Sequence, residues 1–293
     1  MPCTSSPPSP QRGTFSGIGD LYYVNTYETR MMVADVVGSD EYKHTAVDFR
    51  PGDVIIDAGA HIGLFCLLAF QACKHHCTIH AFEPVPANFE ALTRNIGLHG
   101  ADSQITAHRI GLTKPGMPET LDFTCFRNNL STSSYRPQDK VIANHERIAD
   151  PVKAMKVLRK TGHAAYWFGR FLPFLRAPIA RALRRRAEES DVVPCKTTTL
   201  SAMIDDLGLT RIDLIKVDVE GAELDVLQGI SEAHWPMIRR VVAEVHDIDG
   251  RMAAITGLLE RQGFTVTVGA NPALAEVYDL HEMVYAHRPE GPE

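Results

Sequence analysis

From Val54 to about His287 the chain alternates short, β-branched apolar runs with longer apolar stretches of helical spacing. VIIDAG (54–59) is a strand that ends in a glycine turn, and HIGLFCLLAFQAC (61–73) is apolar over a length that suits a buried helix. CTIHAFEP (77–84) predicts a second strand closed by proline. PANFEALTRNIGLHG (86–100) follows with helical spacing and a glycine stop, and QITAHRIGL (104–112) is a third strand. The rhythm resumes near residue 197. TTTLSAMIDDLGL predicts a capped short helix, RIDLIKVDVEG a strand, GAELDVLQGI a helix, RRVVAEVHD a strand, GRMAAITGLLERQG a helix and FTVTVGA a strand. EMVYAHR supplies a last strand, expected antiparallel at the sheet edge. Strands that alternate with helices need crossover connections, so the fold class is α/β: a doubly wound, mostly parallel sheet of seven strands.

The interruption near the middle changes the picture. Residues 126–192 mix Trp167, Phe168, Phe171, Phe174 and Ile179 with regularly spaced basic residues, which predicts helices broken near Pro173 and Pro178. Between Arg136 and Glu189 there are 13 Lys/Arg against 5 Asp/Glu, a charge of +8. The whole chain carries −6, so the remainder carries −14. The expected organisation is a flexible Ser/Pro-rich tail over 1–17, an N-terminal substrate or lid segment over 18–51, the first half of the α/β domain over 52–125, a basic helical insert over 126–192, and the second half over 193–290.

Composition removes several function classes. With 293 residues, 44% of them hydrophobic and 23% charged, the chain buries a full core and is neither disordered nor collagenous. No apolar run reaches the ~20 residues of a transmembrane helix, and MPCTSSPPSPQRG lacks the apolar stretch of a secretory signal, so a cytoplasmic protein is expected. Six scattered cysteines suit free thiols in a reducing compartment. RALRRR comes without a recognition motif, so no nucleic-acid partner is expected.

The first strand ends in DAGAHIG, with Asp57, Gly59, Ala60, His61 and Gly63, and Glu83 closes the second strand. A dinucleotide loop asks for GxGxxG so that backbone can approach a pyrophosphate; here the spacing is GxxxG with an acid before it. A ligand with an adenosine and a cationic amino-acid arm needs one close glycine turn and a carboxylate near its ammonium group. Glu83 has two acceptor oxygens for the two ribose hydroxyls. These requirements describe S-adenosylmethionine, with NAD or a ligand-free module as the alternatives.

VIIDAGAHIGLF, AFEPVPANFEALTRNI and above all IDLIKVDVEGAELDVLQGI followed by VVAEVHD resemble the FkbM family of S-adenosylmethionine-dependent methyltransferases. The resemblance covers most of 52–110 and 195–287. It implies a class I methyltransferase fold and O-methylation of sugars, polyketide hydroxyls or other natural products. It places Asp57, Gly59, Ala60, His61 and Gly63 at the methionine end, Glu83 at the ribose, and Ile110, Gly111 and Leu112 near the adenine. Asn88 is expected to brace its helix.

In open parallel sheets ligands lie beyond the carboxyl ends of the strands, where Asp218, Glu220, Glu223, Glu244 and His246 fall. His246 is the candidate general base for an acceptor hydroxyl, with Asp218 or Glu244 orienting it or holding the acceptor. Asp218 also counts as a cofactor contact. The alternative for these groups is plain hydrogen bonding at strand ends, and for Glu220 and Glu223 favourable placement at a helix N-terminus. The same acids could hold a divalent metal, although no ligand spacing marks one. CKHHCTIH (73–80) spreads its Cys and His over a helix end, a turn and a strand, which argues against zinc. A small-molecule acceptor is the expected partner. The basic insert has four readings: an acceptor lid, a docking face for a carrier protein or other acidic partner, a membrane contact, or an accessory helical layer. An N-methyltransferase, a cyclase or lyase that consumes S-adenosylmethionine, and a non-catalytic scaffold remain the functional alternatives.

Overall fold

A computed structural model describes residues 9–38, 47–127, 129–136, 165–270 and 281–289. Its centre is a seven-stranded sheet. Strands β3 (Val54–Ala58), β4 (Thr78–Phe82), β5 (Ile105–His108), β10 (Leu214–Val217) and β11 (Arg240–His246) run parallel, with β3 between β10 and β4. Helices α2 (Leu64–Ala72), α3 (Pro86–Leu98), α6 (Leu200–Leu207), α7 (Glu223–Gln228) and α8 (Arg251–Arg261) connect and cover it. Apart from Asp57 and Lys216, β3 and β10 are apolar, and they are buried almost throughout because both faces of a central parallel strand are covered. Thr199 caps α6 by accepting from the Ala202 amide at 3.2 Å, and Gly208 ends the helix in the left-handed region.

The last strand departs from expectation. β13 (His281–His287) is antiparallel, but it inserts between β11 and β12 (Thr265–Ala270), which leaves β12 at the edge and makes the sheet mixed. Met283, Val284, Tyr285 and Ala286 are all buried, an apolar run that an interior position requires and an edge does not.

Two further regions differ from the expected organisation. Gln11–Phe15 (β1), inside the segment expected to be a tail, pairs with β2 (Gly19–Tyr23), and the hairpin leads into α1 (Thr26–Gly38). Asn95 of α3 fixes this hairpin: its Oδ1 accepts from the Tyr22 amide at 2.6 Å and its Nδ2 donates to the Tyr22 carbonyl at 2.9 Å. The ends of the expected helical insert are strands. β8 (Asn129–Ser134) and β9 (Ser190–Thr198) flank β7 (Thr120–Phe126), and β6 (Gly111–Leu112) joins the outer side of β9 to complete a second sheet. Alternation of exposed and buried positions along β9 is the strand signal that the basic charge of the neighbouring segment obscures. Helices α4 (Ala165–Phe171) and α5 (Arg176–Glu188) are separated by a 3₁₀ turn, Pro173–Leu175, whereas Pro178, where a second break was expected, sits in the first turn of α5 and does not interrupt it. The rest of the insert, 137–164, is outside the described residues.

Candidate functional site

A cavity opens beyond the carboxyl ends of β3, β4 and β10. The loop after β3 forms one side. Gly59 and Gly63 both take left-handed backbone angles, with φ of 84° and 89°. The reason at Gly59 lies in the protein: a Cβ there would sit 1.8 Å from the Asp218 carbonyl oxygen, so the loop crosses the end of β10 too closely for any side chain. A Cβ on Gly63 would meet Leu92 of α3 at 2.7 Å. His61 is also left-handed, at φ 49°, and Glu220, in the turn after β10, has φ 57°. Both line the cavity, and left-handed non-glycine residues concentrate where function demands them.

Beneath the loop, Lys216 organises the strand ends. It is the register neighbour of Asp57 across β10 and β3, and its Nζ lies 3.1 Å from Asp57 Oδ1 and 3.3 Å from Asp218 Oδ2 while donating to the Gly59 carbonyl at 2.8 Å. Asp57 also accepts from the Cys66 thiol at 3.0 Å. A buried ammonium is tolerable only when surrounded in this way.

Glu83 and Asn88 form the opposite side. Glu83 is buried at the end of β4; its Oε2 accepts from the His61 amide at 3.0 Å and its Oε1 from the Val85 amide at 2.9 Å. Burial pushes its carboxyl above the ordinary value, against the opposing pull of His61, the two amides and the Asn88 side chain. Asn88 is fully buried and lines the cavity, and its Oδ1 has no hydrogen-bond partner among the described residues. An unsatisfied buried acceptor beside a carboxylate suits a ligand that brings hydroxyl or amino donors. Ile110, Leu112 and Val85 add an apolar surface on this side.

The second sheet and α1 complete the wall. Leu130, Ser131, Ser133 and Tyr135 come from β8 and its exit, and Met32 and Val36 from α1. Tyr135 is held by Asp225 of α7: its hydroxyl donates to Asp225 Oδ2 at 2.7 Å, the Arg136 Nη2 reaches the same oxygen at 2.6 Å, and Lys114 Nζ lies 3.3 Å from Oδ1. Burial alone would raise the Asp225 carboxyl; Tyr135, Arg136 and Lys114 outweigh it and hold the group below its ordinary value.

Of the residues expected at the cofactor, Gly59, Ala60, His61, Glu83, Gly111, Leu112 and Asp218 are on the cavity wall. Asp57 and Gly63 are not; the carboxylate of Asp57 is turned inward to Lys216 and Cys66, and Gly63 packs under α3. Asn88, expected to brace its helix, faces the cavity instead. Glu244 and His246 close β11, one strand away from β10, and Glu244 is not among the described lining residues. Glu223 accepts from the Gly221 amide at 2.6 Å and faces Arg251, so it serves the turn into α7. None of the described side chains of α4 and α5 is on the cavity wall. Among the described residues no group of three His, Cys, Asp or Glu could hold a metal ion. Cys73 and Cys77 are buried free thiols, and the neighbouring His75 stacks on Phe70.

The FkbM methyltransferase domain matches residues 57–266. The chain belongs to the FkbM methyltransferase family. It is 30% identical over 270 residues to 31-O-demethyl-FK506 methyltransferase FkbM of Streptomyces tacrolimicus, spanning 92% of this chain and 94% of that one. It is 31% identical over 247 residues to methyltransferase sdnD of Sordaria araneosa, spanning 84% and 86%. Among solved structures, methyltransferase FkbM from Methylobacillus flagellatus KT shares the fold with a TM-score of 0.50 at 14% identity, over 90% of this chain and 55% of that one. This FkbM-family protein is a methyltransferase, and S-adenosylmethionine is the methyl donor its family implies. Glu28, Lys216, Tyr135 and Asp225 escaped the sequence reading. A lysine inside an apolar strand (LIKV) and a second acid in the ELDVLQ helix were the visible signals; nothing local marks Glu28 or Tyr135.

Proposed function

We propose that this protein transfers a methyl group from S-adenosylmethionine to a hydroxyl of a small-molecule natural product or sugar. The observation that carries the reading is the pairing of Glu83 with the unsatisfied Asn88 Oδ1 on one cavity, beside an apolar surface and facing Asp218 and Glu220. Those groups fit a nucleoside with hydroxyl donors and a cationic arm. When bound, the donor supplies a methyl made electrophilic by its sulfonium. Glu83 and Asn88 hold the ribose side, Ile110 and Leu112 flank the base, and the loop from Gly59 to His61 borders the amino-acid arm. Asp218, held by Lys216, faces the acceptor side. The name of the Streptomyces tacrolimicus relative specifies an O-methylation, which supports oxygen as the atom methylated.

A hydroxyl acceptor must lose its proton as the O–C bond forms. His246 is our candidate base, on the strength of its place beside β10, with Glu244 to orient it. Glu83→Ala should weaken binding of S-adenosylhomocysteine at least tenfold by calorimetry. Acceptors screened by mass shift, with and without chelator, identify the product and test metal dependence. His246→Ala should then suppress turnover with cofactor affinity kept; unchanged turnover would move the proton to Asp218. Methylthioadenosine formed without any acceptor would replace methyl transfer by cleavage.

The exposed Trp167, Phe171 and Phe174 beside the exposed Arg170 and Arg181 favour an acidic partner, such as a carrier protein presenting the acceptor.

A further inference from the structure

His61 occupies the middle of the loop in a conformation that glycine would adopt more cheaply. Its side chain must therefore return something. The ring is 11% exposed, and its Nε2 lies 3.5 Å from Oε1 of Glu28, whose own side chain is 4% exposed. Glu28 is in the first turn of α1, a turn that Asn25 secures by accepting the Glu28 amide at 3.2 Å. The same Glu28 oxygen accepts the Ser131 amide of β8. One carboxylate thus joins the cofactor loop, the N-terminal helix and the second sheet. Along α1, Glu28, Met32 and Val36 are spaced i, i+4 and i+8, so they share a face, and Met32 and Val36 line the cavity. Fixing Glu28 fixes the rotation of that face.

We propose that Glu28 and His61 are positioning residues: their buried pair latches α1 in place as the apolar acceptor-side wall of the cavity. The role of that wall rests on the methyltransferase reading of the cavity; the latch itself does not. His61, expected to touch the cofactor, lines the cavity; its ring also lies beside Glu28, and its backbone amide serves Glu83.

The latch has a pH window. Three carboxylates face His61: Glu28 from α1, Glu83 from the end of β4, and Asp218 from the end of β10. Burial alone would lower the imidazole; the carboxylates outweigh it and raise the group above 6.5. Burial would raise Glu28, but His61 and Ser131 hold it below 4.5. Stability from a raised histidine is complete below its unfolded value and is lost as pH rises through the folded one. Stability from a lowered carboxylate is present above its unfolded value and is lost as pH falls through the folded one. The pair is therefore strongest between about 4.5 and 6.5 and loosens on the alkaline side.

Hydrogen exchange of the segment 26–38, measured on the full chain at pH 6 and pH 9, tests the proposal, with S-adenosylhomocysteine affinity read in parallel by calorimetry. Exchange rates at the two pH values are first corrected for intrinsic chemistry. The wild type should then show at least tenfold weaker protection of α1 at pH 9. Glu28→Gln should lose protection at pH 6 and flatten the pH dependence while binding the probe within about twofold. His61→Gly, which keeps the left-handed turn, should loosen α1 in the same way, and the two substitutions together should add little to either one. Unchanged α1 protection in both variants, or additive effects, would overturn the latch. A tenfold loss of probe affinity in Glu28→Gln would also overturn it, by making that residue a ligand contact. Failure of the wild type to bind the probe would instead count against the cofactor reading and leave the exchange result to judge the latch.

Discussion

The two sides of the cavity solve one electrostatic problem with opposite signs. On the core-sheet side a single buried cation, Lys216, gathers Asp57, Asp218 and the Gly59 carbonyl. On the second-sheet side a buried anion, Asp225, gathers Arg136, Lys114 and the Tyr135 hydroxyl. In the first hub Lys216 and Asp57 are enclosed, and Asp218 opens onto the cavity. In the second, Asp225 is buried, but the side chains of Arg136 and Lys114 are 36% and 39% exposed, so water shares in their solvation. Similar contacts should therefore carry unequal weight: breaking the enclosed hub strands charges without solvent, and breaking the outer one does not.

The largest expected effect sharpens this contrast at the backbone. Gly59→Ala places a Cβ 1.8 Å from the Asp218 carbonyl, and neither loop nor strand end can move without separating β3 from β10. Loss of folded protein, or destabilisation beyond about 4 kcal/mol in denaturant unfolding, is expected. Next comes Lys216→Met, which leaves Asp57 buried and uncompensated; a loss of about 3–5 kcal/mol should appear in the same measurement. Asp225→Asn should cost less, about 1–2 kcal/mol after discounting for the exposure of its cations. Equal losses from Lys216→Met and Asp225→Asn would break the comparison, because burial would then not govern the weight of the two hubs.

The core-sheet side was also the legible one. VIIDAG, CTIHAFEP and LIKVDVEG each announce a strand and its exit turn within a dozen residues, so Gly59, Glu83 and Asp218 could be placed from local pattern alone. The second sheet was not legible: β9 lies next to an arginine-rich helix whose charge dominated the reading, and the two-residue β6 is too short to leave a period. The placement of β13 failed for a related reason. An apolar run shows that a strand is buried on both faces, but not between which neighbours it is inserted.

Residue roles divide along the same line. Asp57 and Glu83 look equivalent in the sequence, each an acid at the end of a strand. Asp57 lies within β3, beside Lys216 on the neighbouring β10, whereas Glu83 lies one residue beyond β4, where its carboxylate accepts the His61 and Val85 amides at the cavity wall.

By itself the sequence determined the α/β class, the order of most central elements, the family, and most of the strand-end residues that line the cavity, because periodicity and turn chemistry are local. The tertiary structure alone decided which buried groups meet. Lys216 reaches a carbonyl 157 positions away, and Ser131 reaches Glu28 across 103. Such pairs leave no period to read: their partners are chosen by the crossing of strands and helices, and a buried charge is stable only where that crossing supplies its complement.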